Sequence, residues 1–284
     1  MTFDWLTAYL FDQTVWVIMA GTGLLGLTAG AFGAFALLRN QGMLGDAIAH
    51  AALPGTVIAF LITHSKSAVC LCGGGVLSAL LGICLVECIA GSGFLKRDVA
   101  IGVILSVFFG IGLVLLTIVQ KYPMQGQALL HRLLFGNAAM MTIDDVWVIA
   151  VVALILLSVL LLFWKDFLIV LFDAAYARTL GYAVFKVNGL LMIAIIAIVA
   201  IGLQTTGGVL MSTLLLAPAA AARQWTHNFL PFIVLSSLFG ASCAMVGSLA
   251  STLIDHLPTG PAIVLVVGVL LVCSLVVGKY GVYA

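Results

Sequence analysis

The chain has 284 residues, of which 64% are hydrophobic and only 7% charged, and its formal net charge is +1. A soluble domain carries about 25% charged residues because its surface faces water, so a water-soluble globule is excluded and lipid must solvate most of this surface. The near-neutral balance equally excludes the basic footprint of a nucleic-acid partner.

These constraints imply an all-α integral membrane protein, a polytopic bundle of about eight to nine transmembrane helices forming a single domain over residues 1–284. Residues 1–14 lack the positive flank of a cleavable signal peptide and read as an interfacial lead-in anchored by Trp5 and Tyr9. Apolar segments near the roughly 20-residue length of a membrane span then follow at 15–38, 46–62, 68–90, 99–119, 146–164, 187–203, 207–222, 229–250 and 262–278. The second and seventh are short and hold Pro54 and Pro218, residues that kink or break a helix.

With the N-terminus outside and spans alternating, Arg39, Lys96, Arg97, Lys165, Arg178, Lys186, Arg223 and Lys279 face the cytoplasm, and Lys66, Lys121 and Arg132 face out. The positive-inside rule favours this orientation over its mirror image. Many of the 30 glycines fall inside spans. Gly26 with Gly30, the run Gly73 to Gly75, and Gly102 with Gly110 are small faces at which helices can approach closely. Cys70, Cys72, Cys84 and Cys88 lie in one apolar span and Cys243 and Cys273 in two others. This placement suits small buried hydrophobes better than a disulfide or thiolate site.

Ionisable groups within spans are costly and are functional candidates by default. The first set is Asp46 and His50 in Gly45-Asp46-Ala47-Ile48-Ala49-His50-Ala51-Ala52-Leu53-Pro54. Four residues apart, they lie about 40° from each other on one helical face, so a carboxylate oxygen and an imidazole nitrogen can reach one ion. Pro54 removes the helix bond to the His50 carbonyl and frees another oxygen. A plainer role also fits: Asp46 as a helix cap, with His50 bonded to a neighbouring helix. The second set, Asp255 and His256 before Leu257-Pro258-Thr259-Gly260, lies on the outer side and fits either an ion site or an ordinary polar turn.

The longest cytoplasmic segment, 165–186, contains Phe172-Asp173-Ala174-Ala175-Tyr176-Ala177-Arg178-Thr179-Leu180-Gly181. Asp173 suits an N-cap and Gly181 the C′ position of a helix of about two turns. Such a helix fits docking of a soluble partner, or simple attachment to the bilayer surface. The chain contains no G-x-x-x-x-G-K-[ST], no H-E-x-x-H and no G-x-S-x-G, so its energy source lies elsewhere and a hydrolase is disfavoured.

Three stretches resemble the permease subunits of bacterial ATP-binding-cassette importers for manganese, zinc and iron. Leu37 to Gly55 is similar to that family's basic turn followed by G-D-x-x-x-H-x-x-x-P-G. Phe172 to Gly181 is similar to its F-D-x-x-x-A-x-x-x-G coupling segment, and Gly207 to Arg223 to its small, proline-bearing helix, with 257–265 a weaker fourth match. The resemblance implies a multi-pass protein of the bacterial inner membrane with no resident cofactor, carrying Mn2+, Zn2+ or Fe2+ by alternating access. It further implies a second permease copy or paralogue, a pair of cytosolic ATPases, and an extracytoplasmic metal-binding protein. Asp46 and His50 become ion ligands by this likeness, with Asp255 or His256 contributing at the outer turn. Phe172, Asp173, Tyr176, Ala177, Arg178 and Gly181 become the ATPase-coupling residues. An ion-coupled secondary metal transporter and a permease for metal chelates or cobalamin are the alternatives.

Overall fold

The computed structural model describes residues 13–39, 41–63, 68–120, 141–254 and 257–278. Among these residues there are ten helices and no strand: α1 (Gln13–Leu38), α2 (Leu44–Thr63), α3 (Ala68–Gly91), α4 (Arg97–Gln120), α5 (Ile143–Phe172), α6 (Ala174–Thr179), α7 (Val184–Thr205), α8 (Gly208–Arg223), α9 (Phe229–Leu253) and α10 (Thr259–Val277). Eight of them are long and apolar enough to cross a membrane; the other two are α6, with six residues, and α8, with 16. All nine expected spans are therefore helices, and the seventh is the short one.

Contacts at the helix ends fix how these elements alternate. At one end Arg39 donates to Asn188, Arg97 pairs with Glu87, and Phe35 packs edge-on against Phe167 and Phe229 at 5.8 and 5.3 Å. At the other, Gly21 abuts Met141 and Val146, and Thr22 Oγ1 lies 3.3 Å from Ser248 Oγ. Every described Lys and Arg belongs to the first end, which is the cytoplasmic one by the positive-inside rule.

Helices in lipid gain nothing from hiding apolar surface from water, so backbones must touch to hold them together. The α1–α9 seam shows how. Methyl groups added at Gly26 or Gly30 would overlap the Gly240 or Ser236 carbonyl, and Ser236 Oγ donates 2.6 Å to the Gly30 carbonyl. The α2–α3 seam repeats the device, with Gly55 against Gly74 and Ser78 Oγ donating 2.7 Å to the Ala51 carbonyl. Buried hydroxyls elsewhere bond carbonyls of the preceding turn, as Thr22 does to Ile18 at 2.8 Å and Thr56 to Leu53 at 2.8 Å, leaving them satisfied at low dielectric.

Three expectations need correction. Among the described residues Gly73, Gly102 and Gly110 meet nothing within 4 Å of an added methyl, so they form no helix seam there. Of the six cysteines only Cys243 is buried, while Cys70, Cys84, Cys88 and Cys273 are exposed and Cys72 is intermediate. A thiol is apolar enough to face lipid as readily as a protein core. Finally, α5 does not stop near Trp164. Its 30 residues run on to Phe172, about 45 Å in all against a hydrocarbon core of about 30 Å. The polar pair Lys165 and Asp166 lies where the helix outgrows the apolar layer. Its other end is set by a capping box, with Asp145 N donating 3.3 Å to Thr142 Oγ1 and Thr142 N donating 3.1 Å to Asp145 Oδ2.

The short α8 is tolerated because protein surrounds it. Its 16 residues span about 24 Å, and it follows a tight turn in which Gly207 adopts φ 87°, a left-handed backbone open to glycine. Thr206 and Gly207 are buried, as irregular backbone at membrane depth must be.

The seams yield a paired expectation. Gly26→Ala, which pushes a methyl into the Gly240 carbonyl, should destabilise the purified protein by about 1–3 kcal/mol. Gly102→Ala should be neutral or slightly stabilising through helix propensity. Thermal denaturation in one detergent compares the two, and equal midpoints would refute the backbone-contact account.

Candidate functional site

Most of α2 is buried, from Leu44 and Gly45 through Val57, yet Asp46 and His50 are half-open within that run. Met43, one turn before, is exposed. Helical geometry places all three within about 60° of one another. On one side of this stripe Ala47 packs with Ala100, Ile101 and Ile104 of α4. On the other, a methyl at Gly45 would stand 3.4 Å from Ser212 Cα and 3.1 Å from Leu215 Cδ2 of α8. The Asp46–His50 face thus opens between α4 and α8.

Toward the outer side the opening closes. Phe109 of α4 sets its ring 4.6 Å from that of His50, edge to face. One turn further along, Leu53, Val57 and Phe60 pack with Leu116 and Val119. The carboxylate and imidazole therefore stand in the cytoplasmic half of a slot whose outer half is sealed by apolar side chains. Pro54 does not break α2, nor does Pro218 break α8, since both helices are continuous. The missing N–H of Pro54 still leaves the His50 carbonyl without its helix donor.

On α8 the positions Ser212, Thr213, Leu216, Ala217 and Ala220 are half-open, at helical spacing, next to the Asp46 stripe. Ser212, whose Cβ would stand 3.6 Å from a methyl at Gly45, and Thr213 are the hydroxyl-bearing residues of this half-open set. Sequence reasoning missed them because isolated Ser and Thr in a membrane helix ordinarily bond their own backbone. Only the register of α8 on α2 reveals their place. Among the described residues no three His, Cys, Asp or Glu side chains come together to hold a metal. Asp255 and His256 lie outside the described residues; beside them Ser251 Oγ donates 2.7 Å to the Leu257 carbonyl, and Thr259 and Gly260 are buried at the start of α10.

The expected cytoplasmic helix is present as α6. Asp173 is its N-cap, with Oδ1 accepting from Ala175 N at 3.0 Å and Tyr176 N at 2.8 Å. Tyr182 N donates to the Ala177 carbonyl at 3.0 Å and Gly181 N to the Arg178 carbonyl at 3.1 Å, a Schellman closure that Gly181 permits with φ 85°. Ala177 is buried against Val170 and Val184. Phe172, Tyr176 and Leu180 are 67%, 56% and 51% exposed; four-residue spacing puts Tyr176 and Leu180 on one face of α6, Phe172 ends α5 on the other side of the extended Asp173, and Arg178 is exposed as well. A six-residue helix closed at both ends and anchored by one buried alanine is a rigid handle with an apolar grip.

Residues 11–278 match a family described as the ABC 3 transport family. The chain is 41% identical over 264 residues to the manganese transport system membrane protein MntC of Bacillus subtilis, covering 93% of this chain and 60% of that protein. It is 39% identical over 267 residues to the zinc transport system membrane protein TroC of Treponema pallidum, covering 94% and 90%. Among solved structures, PsaBC from Streptococcus pneumoniae in complex with Fab superposes with a TM-score of 0.86 at 27% identity, covering 100% of this chain and 98% of that one. An inward-facing metal-chelate type ABC transporter shares the fold at a TM-score of 0.69 and 17% identity, covering 90% and 85%.

The caps of α6 can be checked directly. Asp173→Ala should cost about 1 kcal/mol, and Gly181→Ala about 1–2 kcal/mol for a left-handed backbone bearing a Cβ. Amide exchange over residues 175–182 should then quicken by about fivefold or more, with the membrane spans unchanged. Unaltered exchange in both variants would show that the caps do not hold this helix.

Proposed function

This chain belongs to the ABC 3 transport family, and from that premise we propose that it is the membrane-spanning permease of an ATP-driven importer of divalent transition-metal ions, manganese or zinc foremost. The observation that carries the reading is the half-open Asp46–His50 pair in the otherwise buried run 44–57 of α2. A carboxylate at membrane depth is costly without a counter-charge or water, and a passing dication supplies the former. Mixed oxygen and nitrogen ligands suit Mn2+, Fe2+ and Zn2+ and disfavour Cu+, which prefers sulfur. Metal chelates and cobalamin would need a wide path rather than an Asp/His pair.

Two side chains are too few for a four- to six-coordinate ion. A second permease copy, facing the first across a two-fold axis at the α2–α8 opening, brings a second Asp46 and His50 to one point. Asp255 or His256 serves as an outer way-station on the same path. The His50 carbonyl and the α8 hydroxyls are further oxygen donors along the slot.

ATP hydrolysis falls to separate cytosolic subunits. They grip the exposed Phe172, Tyr176 and Leu180, with Asp173 and Gly181 keeping α6 stiff while Ala177 ties it to α5 and α7. An extracytoplasmic metal-binding protein delivers the ion at the outer end. On ATP-driven closure the α6 handles move, the slot changes its open side, and the ion passes to the cytoplasm by alternating access.

Metal uptake by cells expressing the whole transporter tests the reading. Asp46→Ala and His50→Ala should each lower uptake about tenfold or more, the worth of one charge-assisted ligand, at normal membrane expression. An inactivated ATPase partner should abolish uptake as well. Wild-type uptake by both permease variants would remove the site, and uptake that survives ATPase loss would point to an ion-coupled carrier.

A further inference from the structure

At the cytoplasmic end, away from the α2–α8 slot, a groove of about 570 Å³ lies between α3 and α7. Its polar end is built by Arg39, Glu87, Arg97 and Asn188, and its apolar wall includes Leu80, Ile83, Met192 and Ile196. From Phe185 to Ile196 the α7 lining climbs about 16 Å toward the bilayer centre. The groove is open sideways, for its lining residues Phe185 and Ile193 are 88% and 51% exposed. A charged floor at the interface with an apolar column above it is the polarity profile of one phospholipid molecule.

Charge decides which phospholipid. Two guanidiniums face one carboxylate, an excess of one positive charge. Arg97 pairs with Glu87 and Arg39 donates to Asn188, and Arg97 Nε is buried with no acceptor among the described residues. Burial and the nearby Arg97 push the Arg39 guanidinium down to about 10, with Glu87 opposing, so it stays charged at any physiological pH. Lys96, Asp98 and Lys186, exposed sequence neighbours of the lining residues Arg97 and Phe185, leave the rim with one further net positive charge. Guanidinium groups bind phosphate in forked geometry, and basic pockets between membrane helices on the cytoplasmic side suit anionic head groups.

We propose that the α3–α7 groove is a binding site for an anionic phospholipid of the inner leaflet, with the lipid phosphate on Arg97 and Arg39 and an acyl chain against Leu80, Ile83, Met192 and Ile196. The lipid sets an anion beside the two guanidiniums and fills the gap between α3 and α7. The site stands apart from the Asp46–His50 slot and does not depend on how the ion is carried.

Native mass spectrometry of the full-length permease in detergent tests the assignment, with 1-palmitoyl-2-oleoyl phosphatidylglycerol, the matching phosphatidylcholine and inorganic phosphate as probes. The wild-type chain should retain phosphatidylglycerol at least tenfold better than phosphatidylcholine, and excess inorganic phosphate should not displace it. Arg97→Gln should lower that retention about tenfold. Ile193→Trp, which narrows the groove without altering charge, should lower it too, whereas Arg178→Gln on α6 should leave it unchanged. A monodisperse elution profile for each variant separates loss of binding from loss of fold. Equal retention of both lipids, displacement by phosphate alone, or phosphatidylglycerol binding indifferent to both groove variants would overturn the proposal.

Discussion

The structure depends on direct contact between helix backbones. In water two apolar faces are driven together by what they leave behind; in lipid that force is missing, and association rests on packing and on hydrogen bonds across the contact. Gly26, Gly30, Gly240 and Ser236 weld α1 to α9, and Gly55, Gly74 and Ser78 weld α2 to α3. Each weld joins a helix that carries or supports the slot to one that shields it from lipid. Without them α2 would have no fixed bearing, and the direction in which Asp46 and His50 point would be undefined.

Around these seams the helices divide by role. α1, α2, α7 and α8 contribute most of the central apolar cluster, while α3, α4, α5, α9 and α10 turn broad faces of Val, Leu and Ile outward. The half-open polar stripe on α2 and the hydroxyls of α8 therefore interrupt a region otherwise given to packing. Polar atoms that serve structure are satisfied within a turn, as at Thr22, Thr28 and Thr56. The contrast between those closed hydroxyls and the open Asp46–His50 face sets the site apart from ordinary buried polarity.

Much of this was legible in the sequence because it rests on local chemistry. Membrane spans need only length and apolarity; all nine expected segments are helices, eight of them long enough to cross. That Asp46 and His50 share one half-open face needed only their four-residue spacing, and α6 only a capping side chain and a glycine at the correct interval. The expectations that failed depend on what lies across from a residue. Nothing in the spacing of Gly102 and Gly110 says that α4 meets no described neighbour there, nor in the run 70–88 that most of its cysteines turn outward. The end of α5 was misplaced because polar residues mark where a helix leaves hydrocarbon, not where its hydrogen bonds stop. Ser212, Thr213 and the Arg39–Asn188 contact join segments far apart in the chain, and no periodicity encodes such registers.

The welded seams also bear on how the protein responds to heat and cold. The hydrophobic effect carries a large heat-capacity change, which bends the stability of a soluble core and weakens it on cooling. Parting α1 from α9 inside a bilayer uncovers hydrocarbon to hydrocarbon, so that source of curvature is absent. The bond from Ser236 to the Gly30 carbonyl and the dispersion contacts beside it are enthalpic, and they keep their strength as temperature falls.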